Sequence, residues 1–217
     1  MTDDALALKQ SVLDTAKQLY RKGLVEGTSG NVSGRMPDGR ICITPSSLSY
    51  EDMTLDDLVV IDLDGQVVEG ERSPSSEKSV HLACYREYEE VGGVIHSHPV
   101  HATMFALTGT AIPAAIDEFS IYIGGEVPVC EYHPSGTDAL GDEVARNLKD
   151  RSAALMANHG LATVGPTPEK ALHAALVVER SAHIIWGARA LGTVIDLPEK
   201  TNADFVGVYK WMRENRV

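Results

Sequence analysis

Positive charge is in short supply in this chain. Its 19 Lys and Arg face 31 Asp and Glu, a formal charge of −12. That balance argues against a general nucleic-acid surface or an anionic-membrane surface and leaves open only a local basic pocket. Cysteine is scarce too. Cys42, Cys84 and Cys130 are odd in number and far apart, which excludes a disulfide framework or a zinc ribbon and fits a reducing cytoplasm. No apolar run approaches the length of a membrane span. The opening "MTDDALALKQ" is too acidic and polar for a signal or transit peptide, so a cytoplasmic location is expected. "GTSGN" at 27–31 lacks the Gly-Lys-Ser/Thr of a nucleotide P-loop, and no Rossmann fingerprint occurs. Linkers, repeats and low-complexity stretches are missing as well, so residues 1–217 are expected to form one domain.

What the chain does have is histidine in an unusual setting. "VIHSHPVHATM", residues 94–104, places three histidines within six positions. The apolar, β-rich run stopped by Pro99 predicts a strand, on which His96 and His98 share a face. His101 falls beyond the proline, in a predicted helix, and need not point the same way. Around this strand the pattern predicts a helix over 4–22, ended by Gly23. A short strand is predicted at "RICITP", and "LVVIDLDGQVVEG" reads as a hairpin turning at Asp64-Gly65. A helix is predicted after "SPSSEK", and another over about 137–148. Strands are expected at "GEVPVCEY" and "AALMANHGLATVG". A long helix opens at Thr167-Pro168-Glu169 and runs to about Leu191, and a last one covers roughly 203–214. Hairpins mixed with helices predict an α/β fold with a largely antiparallel or mixed sheet covered by helices.

Two histidines leave a zinc ion short of ligands, because a catalytic zinc takes three protein side chains and keeps a position open. His159 in "ANHGLATVG" supplies a third at a strand-to-strand connection, where Gly160 permits a tight turn. Glu77 in "PSSEKS" adds a carboxylate at a helix start. His96, His98, His159 and Glu77 together make a His₃Glu set suited to Zn²⁺. Each also has an ordinary reading: a buried strand residue, a turn residue, a first-turn acid favoured by the helix dipole. His81, His101, His133, His173 and His183 read as structural or surface residues. Gly/Ser segments form a second theme. Ser75 and Ser76 precede a helix N-terminus, and Ser46 and Ser47 add hydroxyls. Such turns present N–H groups that can cradle a phosphate, although any one of them alone is most simply a turn or a cap.

"GTSGNVSGR", "ITPSS", "PSSEKSVHLACYRE", "VIHSHPVHATMFAL" and "ANHGLATVG" occur in the order and spacing of the class II aldolase/adducin superfamily. The chain resembles its sugar-phosphate aldolases, the L-fuculose-1-phosphate aldolases most. The resemblance implies a single α/β/α domain with a central, mostly antiparallel sheet, assembled as a homotetramer. It implies one Zn²⁺ per subunit on His96, His98 and His159, with Glu77 both a ligand at rest and the catalytic carboxylate. It implies phosphate binding by Gly30 and Asn31, by Ser46 and Ser47, and by Ser75 and Ser76. Ser47 stands where the fuculose enzymes commonly have glycine. The implied reaction is cleavage of a ketose 1-phosphate to dihydroxyacetone phosphate and an aldehyde through a metal-stabilised enediolate. A tyrosine donated across the subunit interface in those enzymes has no clear counterpart: "IPAAIDEFSIYIGGE" has Asp117 and Glu118 near its place and Tyr122 a little later, so the second proton-transfer role lies open between Tyr122, Glu118 and another residue. The alternatives are a dehydratase, a decarboxylase or a 4-epimerase of the same superfamily, or a non-enzymatic module like the adducin head. The 4-epimerases carry aspartate where Glu77 stands. The expected partner is a phosphorylated sugar, with no nucleic acid and no membrane.

Overall fold

The computed structural model describes residues 2–217. The first helix, α1 (Asp3–Arg21), starts where Thr2 accepts the N–H of Ala5, and Asp3 and Asp4 complement its dipole. Val12, Ala16 and Leu19 form its buried stripe. Four short antiparallel strands follow: β1 (Asn31–Arg35), β2 (Ile41–Ile43), β3 (Val59–Ile61) and β4 (Val67–Glu69). The β3–β4 turn is the hairpin expected at Asp64-Gly65, with Gly65 at φ 81° and the Asp62 N–H donating to the Gln66 carbonyl.

Next come α2 (Lys78–Glu87), β5 (Gly93–Ser97), α3 (Val100–Thr108), α4 (Asp117–Ile123), β6 (Val129–Cys130) and α5 (Asp138–Asn147). The chain continues through β7 (Ala153–Met156), β8 (Gly160–Gly165), α6 (Pro168–Leu191) and α7 (Glu199–Glu214). The strands make one eight-stranded sheet in the order β4-β3-β2-β1-β5-β8-β7-β6. Only β6 and β7 run parallel, so the sheet is mostly antiparallel, as expected.

Strand alternation divides the core in two. Ile95, Leu155 and Leu161 face a layer that includes residues of α1, α3 and α6. Val94, Ala154, Met156 and Val164 face α2 and α5. The architecture is therefore helices on both faces of one sheet. All three cysteines are buried in it, and desolvation pushes each thiol up to about 12, so they pack as small apolar groups. None of the described helices is long and apolar enough to cross a membrane.

Helix α6 docks unusually close to the sheet. Thr167 accepts the N–H of Lys170 and Pro168 occupies the first turn, which are the start signals read in the sequence. Beneath this end, Gly93 and Gly165 are paired across β5 and β8. A Cβ on Gly93 would lie 2.4 Å from the Pro168 nitrogen, and one on Gly165 2.6 Å from the Ala171 nitrogen. Two differences from the expected elements appear. The segment 117–123 is a helix, too short at seven residues for its period to be legible. The last helix starts at Glu199, directly after Pro198, rather than near 203.

Replacing Gly165 by alanine forces backbone apart at this junction, and a loss of about 1–3 kcal/mol is expected from overpacking. Denaturant unfolding measures it; an unchanged midpoint would show that α6 does not approach so closely.

Candidate active site

The backbone brings three histidines together for traceable reasons. Strand β5 carries His96 to its end, where Pro99, lacking an N–H, stops the ladder. His98 sits just beyond, its N–H donated to the Leu24 carbonyl at 2.9 Å. Strand β8 pairs with β5 so that His96 lies opposite Ala162. The β7–β8 connection therefore arrives beside β5, with Asn158 in the left-handed region at φ 56° and the His159 N–H on the Met156 carbonyl. Gly160 makes the approach possible: a Cβ there would lie 2.5 Å from the Ser97 carbonyl oxygen and 2.8 Å from His98 Cδ2.

The ring centroids of His96, His98 and His159 are 4.6, 4.6 and 5.1 Å apart, and one nitrogen from each lies within 4.8 Å of the others. His96 Nδ1 is 3.2 Å from the Leu161 carbonyl. A carbonyl only accepts, so the proton is on Nδ1 and the Nε2 lone pair faces the centre. His98 Nε2 stands 2.9 Å from that lone pair, a separation that requires a proton or a cation between the two nitrogens. Glu77, at the N-cap of α2, presents Oε2 at 3.2 Å from His96 Nε2 and Oε1 at 3.2 Å from His159 Nε2.

The electrostatics suit a cation. Burial lowers the pKa of His98 to about 4 and lowers that of His159, so both offer lone pairs at neutral pH. Burial pushes the Glu77 carboxyl up, but hydrogen bonding from His96, the charges of His96 and His159, and the Asn31 amide outweigh it and hold the pKa at about 2. With the rings neutral and the His96 Nε2 a lone pair, the Asn31 amide remains as its hydrogen-bond donor. An ionised carboxylate among neutral imidazoles is a donor set that fits a divalent metal ion, and three histidines plus a displaceable carboxylate match a catalytic arrangement.

Beside this set, the Gly/Ser segments converge. Pro45 and Pro74 form an isolated antiparallel bridge. The Ser46 N–H donates to the Ser73 carbonyl, and the Ser75 N–H to that of Thr44, which sets Ser46 and Ser47 alongside Ser75 and Ser76. Thr44 is tied in turn to β1 next to Gly30 and Asn31. Ser47 holds φ 58°, a left-handed conformation that glycine adopts without strain. That explains why glycine suits this position in the enzymes the sequence resembles. The Asn31 side chain is turned inward, with Nδ2 3.2 Å from Glu77 Oε2 and Oδ1 against the His81 ring.

Residues 10–186 match the family model "Class II Aldolase and Adducin N-terminal domain". The chain belongs to this family. It is 37% identical over 201 residues to an L-ribulose-5-phosphate 4-epimerase UlaF of Salmonella paratyphi B (strain ATCC BAA-1250 / SPB7), covering 87% of this chain and 88% of that protein. It is 34% identical over 192 residues to a 5-deoxy-D-ribulose 1-phosphate aldolase of Bacillus thuringiensis serovar kurstaki (strain ATCC 35866 / NRRL B-4488 / HD73), covering 88% and 90%. A solved L-fuculose 1-phosphate aldolase superposes with a TM-score of 0.90 at 32% identity over 97% of this chain and 98% of that one. The relatives thus include an epimerase as well as aldolases.

Within this family member, Tyr122 stands apart from the histidines. Tyr122, on α4, lines a cavity of about 410 Å³ with Val91, His173, Tyr209 and Arg213, and its ring packs edge-on against His173 at 4.6 Å. Val91 and Val164, also in that lining, lie at the end of β5 and β8 opposite His96 and Gly160. Glu118 is exposed. His101 is drawn to Glu179, its Nδ1 2.7 Å from Oε1, outside the triad. His81, read as structural or surface, is fully buried, and its ring touches Asn31 beneath Glu77. The available signal was its spacing, one helical turn after Glu77.

Purified protein should carry close to one divalent metal ion per chain. His96→Ala and His98→Ala should each abolish retention after gel filtration, as read by elemental analysis. Full metal content in the double variant would remove the triad as its site.

Proposed function

We propose that the chain is a zinc-dependent aldolase that cleaves a ketose 1-phosphate to dihydroxyacetone phosphate and an aldehyde. The observation that carries this reading is an ionised Glu77 held against three convergent imidazoles, beside a turn lined by Ser46, Ser47, Ser75 and Ser76. Zinc on His96, His98 and His159, with Glu77 as a further ligand at rest, supplies Lewis-acid polarisation of the substrate's carbonyl and hydroxyl oxygens.

Glu77 is the base in this scheme. As a carboxylate at neutral pH, it takes and returns the proton at the carbon that was C3 of the ketose. The serine turns hold the phosphate: among the described residues, the Ser47 and Ser76 backbone N–H groups have no protein acceptor. Gly30 and Asn31 border the same cradle. No lysine or arginine is required there, which agrees with the acidic charge balance. Binding energy gained at the phosphate orients the reacting carbons.

The C4 hydroxyl proton needs a second group. Its own α4 is at the other end of the sheet, so the reading assigns this role to Tyr122 or Glu118 from a neighbouring subunit of a homotetramer. Exposed Val100 and Leu107 on α3, and Ile184 and Trp186 on α6, are apolar surface suited to subunit contact.

The 4-epimerase activity in the name of one relative is the second reading. The same bond broken and remade after the aldehyde turns over would invert C4 without net cleavage. Glu77 favours the aldolase, given the aspartate that the resemblance places there in epimerases. A panel of ketose 1-phosphates together with L-ribulose 5-phosphate separates the two: an aldolase releases dihydroxyacetone phosphate, whereas C4 inversion with no release would replace it with the epimerase. Glu77→Gln should slow solvent-deuterium exchange into dihydroxyacetone phosphate on the order of 10²-fold or more; wild-type exchange would assign the base elsewhere. Mixing exchangeable Glu77→Gln subunits with subunits inactivated at Tyr122 or Glu118 should restore part of the activity. No rescue in demonstrably mixed oligomers would confine the second role to one chain.

A further inference from the structure

Glu77 is the end of a buried file of polar side chains. Tyr85 OH is 2.9 Å from Ser33 Oγ, and Ser33 Oγ is 2.6 Å from His81 Nδ1. His81 Nε2 then meets Asn31 Oδ1, and Asn31 Nδ2 is 3.2 Å from Glu77 Oε2. Ser33 and His81 are completely buried, and Asn31 and Tyr85 are 2% exposed. Four polar side chains in an apolar sandwich are costly unless every member is satisfied.

The direction of each bond follows from the carboxylate end. Ionised Glu77 only accepts, so Asn31 must turn its NH₂ toward it. That leaves Asn31 Oδ1 facing the ring, and His81 Nε2 must carry a proton. A fully buried ring facing no carboxylate of its own is neutral, so Nδ1 is a lone pair and accepts from the Ser33 hydroxyl. Ser33 Oγ then accepts from Tyr85, whose hydroxyl starts the file. Reversing it would point Asn31 Oδ1 at the Glu77 carboxylate, acceptor against acceptor.

We infer that His81, with Ser33 and Tyr85 behind it, is a positioning device for Glu77: it locks the Asn31 amide in the one orientation that donates to the Glu77 carboxylate beside the three histidines. The neighbouring geometry supports it. Asn31 is paired with His96 across β1 and β5, so an amide fixed there is fixed relative to the metal-ligating strand. Arg35 stacks over the Tyr85 ring, 4.9 Å from its centroid, and donates to the Tyr85 carbonyl, anchoring the far end. The inference deepens the proposed function and rests on Glu77 being its base.

Two measurements test it. The first is ¹⁵N spectroscopy of ring-labelled histidine in the purified protein, with the His81 signals identified by their loss in His81→Gln. A neutral ring with its proton on Nε2 is expected; a proton on Nδ1, or a charged ring, overturns the proposal. The second uses solvent exchange into dihydroxyacetone phosphate. Tyr85→Phe and Ser33→Ala should each lower kcat about 10-fold, the lower end for outer partners of metal sites, with KM and metal content unchanged. Glutamine at 81 presents an N–H near the Nε2 position without help from Ser33. His81→Gln should therefore retain more activity than His81→Leu, and adding Tyr85→Phe to it should cost nothing more. Full activity in Tyr85→Phe, or the same further loss in the His81→Gln background, would reduce the file to packing. If His81→Leu does not fold, the Ser33 and Tyr85 variants decide this arm. Wild-type protein that neither forms nor exchanges dihydroxyacetone phosphate would count against the aldolase reading, and the ring spectrum would then decide the file by itself.

Discussion

The site depends on how tightly the β7–β8 connection can press against the end of β5. Antiparallel pairing of β5 with β8 sets the register, and Gly160 lets the backbone settle over Ser97. A side chain there would push His159 away from His96 and His98 and dissolve the triad. The histidines are thus held by sheet geometry more than by contacts of their own. Sites built on strands keep their spacing better than sites built on free loops.

A second constraint is electrical. The chain carries a formal charge of −12 and still keeps Glu77 ionised in a half-buried position. The hydrogen bond from the Asn31 amide offsets part of the desolvation of that charge. Because burial lowers the pKa values of His98 and His159, these two rings bring no positive charge to neutralise the carboxylate. A divalent cation is the natural complement, and the acidic surface beyond the site does not need to contribute.

Much of this was legible in the sequence. Period-two alternation put His96 on its strand, although β5 ends at Ser97 and His98 sits just past it; the Asp64-Gly65 turn and the Thr167-Pro168-Glu169 start stand where expected. Glu77 and His159 were legible as ligand types beside turn signals. The order of strands was not, because nothing local says that β5 lies between β1 and β8. Nor was the use of Asn31: its place in a Gly/Ser segment suggests phosphate, whereas its amide is turned to Glu77 and His81. His81 looked like filler because helical periodicity, rather than adjacency, is what places it under Glu77. The short α4 was hidden for want of length, and with it the distance of Tyr122 from its own triad.

The buried cysteines have a consequence for how the protein meets oxidants. The triad and its carboxylate offer only nitrogen and oxygen, so no thiolate stands at the reactive centre. Cys42, Cys84 and Cys130 are all sealed in the core, and a thiol held near 12 is almost never a thiolate at neutral pH. Sulfur chemistry in this molecule is therefore gated by opening of the core. The rate at which a thiol reagent labels the native protein counts the molecules that have come apart, and the three sulfurs serve as a built-in gauge of its breathing.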